Sequence, residues 1–412
     1  MSRHAQALIA GTTAAMLISA ASFAEPTSRV TLNQSNSAAN AASDAVTVGV
    51  GESVNSTAMV QANAATGFVT DWTSVTGGQS FTGSADSVSR VEADEIWSWI
   101  ISGAVAQGNG MTVQSLSDLD MDLTQEAAAG SRVSALSELR VADYTAHVIQ
   151  TSVAAANAVE VNGANGSQAI DLTQTAAGDT YAGARLAAED ARIEDVAAAV
   201  QASGNSLQAS GNEADPVALI NQSQSGTVTA EADITARDVH WGLTAATEAA
   251  GNTAVMTNDW GYAHLQGTQS NSGGVTARTV VNLGEFSNGV AAISAHGVGN
   301  NALVSNIGAD AYSGIGQVNS GAVTGEALFS GGHNGGSGLG GGITASASAI
   351  GNAQSGYICS ECPVGLTANI NQTNSGPVTA RAQINSPGYT PFISSSATAV
   401  GNAATFSSRS PN

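Results

Sequence analysis

Cys359-Ser360-Glu361-Cys362 holds both cysteines of the chain in a C-x-x-C spacing. Such a pair suits thiol-disulfide exchange, metal ligation or a local disulfide. One pair cannot complete a four-thiolate zinc site, and no histidine lies nearby in sequence. In an oxidising compartment the spacing reads as a Cys359–Cys362 disulfide that pins a loop. Asp118, Asp120 and Asp122 alternate, so on a strand their carboxylates share one face and could hold Ca²⁺. Leu123 stands where an EF-hand loop needs glycine, and the triplet reads instead as a solvated acidic edge. His147, His240, His264, His296 and His333 stand in no G-x-S-x-G or comparable context. Trp72, Trp97, Trp99, Trp241 and Trp260 could stack on sugar rings or serve as packing residues. No catalytic, cofactor-binding or metal-binding residue is assigned.

A repeat must position these residues. Ile370-Asn371-Gln372-Thr373-Asn374-Ser375-Gly376-Pro377-Val378-Thr379-Ala380 recurs at a nearly fixed interval, with copies around Gln222, Gln269 and Gln317 and weaker ones around Gln34, Gln79, Gln125 and Gln174. The Gln-to-Gln steps are 45, 46, 49, 48, 47, 48 and 55. A second marker keeps the same phase: Gly-Asn at Asn109, Asn205, Asn252, Asn300, Asn352 and Asn402, and Ala-Asn at Asn63 and Asn157. The next Gln follows that Asn by 16 or 17 residues in every copy except after Asn352, where the step is 20. Two markers in phase over eight units define one module repeated eight times.

Arg3 and His4 precede a small and apolar run from Ala5 to Ala21, and Ser22-Phe23-Ala24 offers the small residues a signal peptidase needs. Residues 1–24 therefore read as an export signal and 25–412 as one repeat domain. No later stretch approaches the ~20 apolar residues of a spanning helix. All basic residues are Arg, and without the signal 10 Arg face 32 acidic side chains, a formal charge of −22. Phosphate binding needs clustered cations, so nucleic acid is excluded as a partner. Aromatic residues make up 4% of the chain and charged ones 10%. A globular core of large side chains cannot be filled from that inventory, whereas a stacked solenoid needs few inward residues per coil. A polar Gly/Ser/Ala-rich chain could instead be disordered, but Val, Ile and Leu at fixed offsets from both markers argue against it.

Within a unit, alternation around the Gln predicts strands, with Ser-Gly as one turn and Gly-Asn as a second turn needing positive φ. Segments 132–149 and 186–200 have helical propensity, but they fill the slot that Thr-rich, strand-like sequence fills in the next unit, so register assigns them to strands. Forty-eight residues is about two ordinary β-helix coils, although the 31/17 split between markers is not an even halving. In a stack, Gln222, Gln269, Gln317 and Gln372, and Asn252, Asn300, Asn352 and Asn402, are expected to form amide ladders. Residues 330–342 read as a flexible glycine-rich excursion, and the two cysteines fall in another stretched interval.

The export signal, the acidic Ala/Gly/Ser/Asn composition and the Q-x-N-S-G-x-V-T-A and A-x-G-N-A repeats resemble the holdfast-anchoring protein D family of stalked alphaproteobacteria, with a style also similar to curlin repeats. The first four units depart from it by losing N-S-G. The resemblance implies an outer-membrane-associated, cell-surface protein that fastens an adhesive polysaccharide to the envelope. It also implies an amyloid-like subunit and a curli-secretion-like outer-membrane protein as partners, and no catalytic residues. The expectation is a non-enzymatic, all-β parallel solenoid of eight repeats, without cofactor, whose repeated face attaches a polymer and whose open ends favour self-association. Two alternatives remain: a self-assembling curli-like or trimeric adhesin fibre subunit, and a polysaccharide-modifying β-helix enzyme. The enzyme would gather Asp, Arg and Lys or His at a break in the repeat, and lysine is missing altogether.

Overall fold

A computed structural model describes residues 28–286, 289–333, 341–359, 364–388 and 390–409. They form eighteen strands and, among the described residues, no helix. The first coil comprises β1 (Ser28–Asn36), β2 (Ala39–Gly51) and β3 (Val54–Val69). Coils two to five run through β4 (Thr73–Phe81), β5 (Ser84–Ser115), β6 (Leu119–Ala127), β7 (Arg132–Ala176), β8 (Asp179–Gln224) and β9 (Val228–Asp259), where single strands continue around corners. The sixth comprises β10 (Ala263–Asn271), β11 (Val275–Phe286) and β12 (Val290–Ile307). The seventh comprises β13 (Ala311–Asn319), β14 (Val323–His333) and β15 (Gly342–Cys359), and the eighth β16 (Leu366–Asn374), β17 (Val378–Asn385) and β18 (Phe392–Arg409).

Every pairing is parallel and joins a residue to its counterpart one repeat away, as in Gln269 with Gln222 and Gln317 and Asn300 with Asn252 and Asn352. One repeat is therefore one coil, not two, because a strand cannot pair within its own repeat when its hydrogen-bond partner lies a full period away. Successive coils stand about 4.8 Å apart along the stack. Each coil has three faces: a short one carrying the Gln, a middle one carrying most of the Arg, and a long one carrying the Asn.

Alternation turns one side of every strand inward, and the inward residues build two apolar columns. One lies between the arginine face and the first half of the asparagine face, including Val91, Ile100, Leu186, Ile234 and Phe329. The other lies between the glutamine face and the second half of the asparagine face, including Leu123, Val161, Leu172, Leu265 and Ile315. Segments 132–149 and 186–200 are strands: Leu186, Ile193 and Val196 are buried in register with Ile234, Val239 and Leu243 of the next coil. Helical propensity differences of a few tenths of a kcal/mol per residue do not compete with a hydrogen-bonded neighbour on each side.

The Gly-Asn marker departs from expectation. Gly251-Asn252 and its equivalents lie inside strands, not turns, and the positive-φ glycines are elsewhere. Glycine serves close approach there: a Cβ on Gly251 would stand 2.5 Å from the Gly299 carbonyl oxygen. The Ser-Gly motif does turn the chain, between the glutamine and arginine faces, and a Cβ on Gly273 would meet the Gly226 carbonyl oxygen at 1.8 Å.

Candidate functional site

The Gln and Asn side chains form a polar seam between the two apolar columns. Along the glutamine face each side-chain Nε2–H donates to the Oε1 of the preceding coil: Gln222 to Gln174, Gln269 to Gln222, Gln317 to Gln269, at 2.8 Å each, and Gln372 to Gln317 at 2.7 Å. Along the asparagine face the direction reverses. Each Nδ2–H donates to the Oδ1 of the following coil: Asn205 to Asn252, Asn252 to Asn300, Asn300 to Asn352 and Asn352 to Asn402, at 2.7–2.8 Å. The second amide hydrogens stitch the faces together. Gln222 donates to the carbonyl oxygen of Thr253, one residue past Asn252, and Asn252 donates to that of Ser270, one residue past Gln269. Both donors of each inner amide are used, as burial demands.

A second polar line crosses the first apolar column. Asp44 Oδ2 accepts from Ser56 Oγ at 2.8 Å and from the Thr57 amide at 3.0 Å. Ser56, Ser89, Ser102 and Ser137 then continue as hydroxyl contacts of 2.7–2.8 Å, ending at Gln150 Nε2. The carboxylate is an obligate acceptor, so Ser56 donates to Asp44 and accepts from Ser89, and at the other end Ser137 accepts from Gln150.

On the outer surface the corner between the arginine and asparagine faces breaks the repeat. Register shifts fall between Ala93 and Glu95, Ile96 and Trp99, Arg140 and Tyr144, Ala188 and Arg192, and Ile193 and Asp195. Extra residues at such bulges re-aim side chains outward. Trp97 is 60%, Trp99 43% and Trp241 54% exposed, values unusual for tryptophan. Trp99 stacks on His147, with ring centroids 4.2 Å apart, and Trp97 lies 5.9 Å from Tyr144. His147 Nδ1 pairs with Asp195 at 3.0 Å, and His240 meets Trp241 edge-on. Glu95, Tyr144, Arg192 and Asp238 occupy one register across coils two to five. The result is a ridge of aromatic rings and carboxylates.

On the arginine face, basic residues alternate with acids. Arg278 lies between Glu231 at 2.6 Å and Glu326 at 3.5 Å, and Arg381 pairs in register with Glu326. Bonding to Glu138 raises the Arg90 guanidinium above its ordinary value, an exposed pair worth little. Partial burial raises the Tyr181 hydroxyl above its ordinary value, with the neighbouring Glu231 adding and Arg185 opposing. Arg185 is raised in turn, chiefly by Tyr181.

Asp120 and Asp122 share the exposed face of β6, whereas Asp118 lies exposed in the turn just before that strand. Asp118 Oδ1 accepts the Ser167 amide of the next coil at 2.8 Å, as Asp215 does for Tyr262 and Asp310 for Gly365. These aspartates hold turns together. No group able to hold a metal ion is found among the described residues. Trp72 and Trp260 are exposed at the corner between the asparagine and glutamine faces; there His264 stacks on Tyr312 at 4.4 Å. His296 follows inward Ala295 within β12. Cys359 ends β15 as a half-buried residue, while Cys362 and residues 1–27 and 334–340 lie outside the described residues. The expected disulfide, export signal and most of the glycine-rich excursion thus fall there.

A model of the holdfast attachment protein D family matches residues 48–322. No curated protein matches the chain, and no solved structure matches it.

Proposed function

The chain belongs to the holdfast attachment protein D family, and from that premise we propose that it fastens an adhesive polysaccharide to the envelope through the bulged aromatic corner. The observation that carries the reading is the gathering of rings from coils two, three and five at one corner: the exposed Trp97, Trp99 and Trp241, with the half-buried Tyr144, His147 and His240 beside them. Aromatic faces take the apolar face of a sugar ring, and neighbouring carboxylates accept its hydroxyls. Four coils at about 4.8 Å each give a platform roughly 15 Å long, enough for several weak contacts with one polymer chain. Family membership places the protein at the cell surface or envelope. Export by residues 1–24, outer-membrane association, and contact with an amyloid-like subunit and a curli-secretion-like protein complete the proposal.

Deleting the gene should release intact adhesive into the medium and abolish surface attachment. Trp97→Ala/Trp99→Ala/Trp241→Ala should reproduce this with the protein still present and its strand circular dichroism unchanged, because all three rings are exposed. Normal attachment by the triple variant would refute the ridge. One observation favours the polysaccharide-modifying alternative: the His147–Asp195 pair lies on the same ridge. That reading predicts adhesive retained on the deleted strain with altered chain length or acetylation.

A further inference from the structure

Within one chain, every coil is covered on both sides by a coil of the same chemistry, except the first and the eighth. Among the described residues, β1, β2 and β3 pair only toward the second coil, and β16, β17 and β18 only toward the seventh. The polarity of the two ladders makes these end faces different. At the first coil, Gln34 Nε2 donates to the Ala64 carbonyl oxygen at 2.9 Å and has a second hydrogen facing outward. There the Asn63 Oδ1 takes no hydrogen bond from the described residues, although Asn63 Nδ2 donates to Asn109 at 2.8 Å. The eighth coil shows the converse: among the described residues Gln372 Oε1 accepts no hydrogen bond, and the one contact of Asn402 Nδ2, with the Gln372 carbonyl oxygen, is 3.4 Å long.

We propose that copies of this chain stack head to tail, the eighth coil of one against the first coil of the next, into a continuous parallel solenoid. In that orientation Gln34 donates to Gln372 and Asn402 donates to Asn63, which continues both ladders. Two first coils placed face to face would oppose donor to donor and acceptor to acceptor.

The sequences of the end coils support a second copy over an unrelated strand. Asn33-Gln34-Ser35-Asn36 answers Asn371-Gln372-Thr373-Asn374, and Asn63-Ala64-Ala65-Thr66 answers Asn402-Ala403-Ala404-Thr405. The half-buried apolar residues also share columns: Val46 and Ile384 occupy the position held within the stack by Val91, Leu139, Leu186, Ile234 and Phe329.

The inward-pointing Asp44 would ordinarily block such an edge. It is matched by Ser395. Ser56 and Ser395 hold equivalent places in the asparagine-face column, where coils four to seven carry Ala198, Ala245, Ile293 and Ala345. Inside the chain, Ser89 contacts Ser56 of the preceding coil. The same relation across a junction sets the Ser395 hydroxyl against the Asp44 carboxylate and extends the hydroxyl line. One place requires adjustment. Ala38 stands where later coils have Gly83, Gly178 and Gly226, whose added Cβ atoms would meet the preceding carbonyl oxygen. The third coil carries Ser131 there, with Arg132 still donating to the Gly83 carbonyl oxygen, so this turn admits a side chain.

Cross-linking tests both association and polarity. Asn33 and Asn371 are exposed and share a register position, and parallel neighbours about 4.8 Å apart suit a disulfide. In a Cys359→Ser/Cys362→Ser background, chains carrying Asn33→Cys alone and Asn371→Cys alone should form no dimer by themselves on mild oxidation and a 33–371 dimer when mixed. A chain carrying both should yield a ladder of multimers. Dimers of either single variant with itself would overturn the polarity. Absence of cross-links, together with sedimentation of the unmodified chain as a monomer, would overturn the stacking, and strand circular dichroism of each variant checks that it folds. Ser395→Ala should weaken association about tenfold or more, as loss of a hydrogen bond to a charged acceptor does, and Ala38→Gly should strengthen it. The stacking does not depend on what the aromatic ridge binds.

Discussion

Replacing Gln222 by Met keeps the length and apolar bulk of the side chain and removes only its amide. Three hydrogen bonds go: Gln222 Nε2 to Gln174 Oε1, Gln222 Nε2 to the Thr253 carbonyl oxygen, and Gln269 Nε2 to Gln222 Oε1, at 2.8–2.9 Å. Gln222 and both neighbouring ladder amides are fully buried, so three polar atoms lose partners where water does not replace them. At about 1–3 kcal/mol for each of the three orphaned groups, the expected cost is about 3–9 kcal/mol. The control is Gln34→Met in the half-buried first coil, where the lost bonds to Ala64 and from Gln79 face the open end; the expected cost is about 1 kcal/mol. Urea unfolding with hydrogen exchange on the purified chain separates the two, with lost protection centred on coils four to six for Gln222→Met. Gln222→Glu adds a sign. A buried carboxylate would face the Gln174 oxygen, and protonation turns it into a donor that restores the bond, so its folded pKa must rise above the unfolded value near 4.3. The variant should therefore gain stability as pH falls through that raised value. Equal costs for Gln222→Met and Gln34→Met, or a pH-independent Gln222→Glu, would refute the seam as a stabilising element.

Tyr181 is raised from its ordinary value of 10.0 in the folded chain, so the folded state keeps a proton that the unfolded state loses. Its contribution is complete below pH 10 and declines as pH rises through the folded value; Tyr181→Phe should flatten that alkaline loss in melting temperature measured from pH 8 upward. Gly226→Ala would place a Cβ 1.9 Å from the Gly178 carbonyl oxygen, and should cost about 2 kcal/mol or more through the displaced turn, visible as accelerated amide exchange at residues 176–179 and 224–228. Ser102→Ala interrupts the hydroxyl line between Ser89 and Ser137; a cost of about 1–3 kcal/mol in urea unfolding is expected, and a neutral result would mean the hydroxyls re-pair with backbone carbonyls.

The phase of Gln and Asn was legible because the stack forces each buried amide to recur in register: a slip of one residue would bury the wrong side of the strand. The period did not reveal the number of faces. Gly-Asn looks like a turn from local chemistry, yet in this fold glycine answers a carbonyl from the next coil, a contact 48 residues away from Gly251 to Gly299. At 186–200 register outweighed helical propensity, since the apolar residues there satisfy a strand as well as a helix. The tryptophans were legible as candidates for stacking on sugar rings, but their gathering with Tyr144 and His147 at one corner was not, because the residues come from different coils. A signal was present: Trp97, Tyr144 and Trp241 stand 18 or 19 residues after Gln79, Gln125 and Gln222, an offset that alignment on the ladder would have exposed.

The opposed arrows of the two ladders bear on how such a chain changes length over generations. Amide dipoles aligned in one direction add with every unit, as they do along a helix, and would make each inserted module electrostatically different from the last. Here a duplicated or deleted coil among the second to fifth adds or removes one Gln arrow and one Asn arrow pointing opposite ways, and only from the sixth does a further Asn271–Asn319–Asn374 line join the Asn direction. Unequal recombination within the gene can therefore lengthen or shorten the rod while the new neighbours meet the same chemistry as the old, leaving coil number free to follow the distance the protein must span.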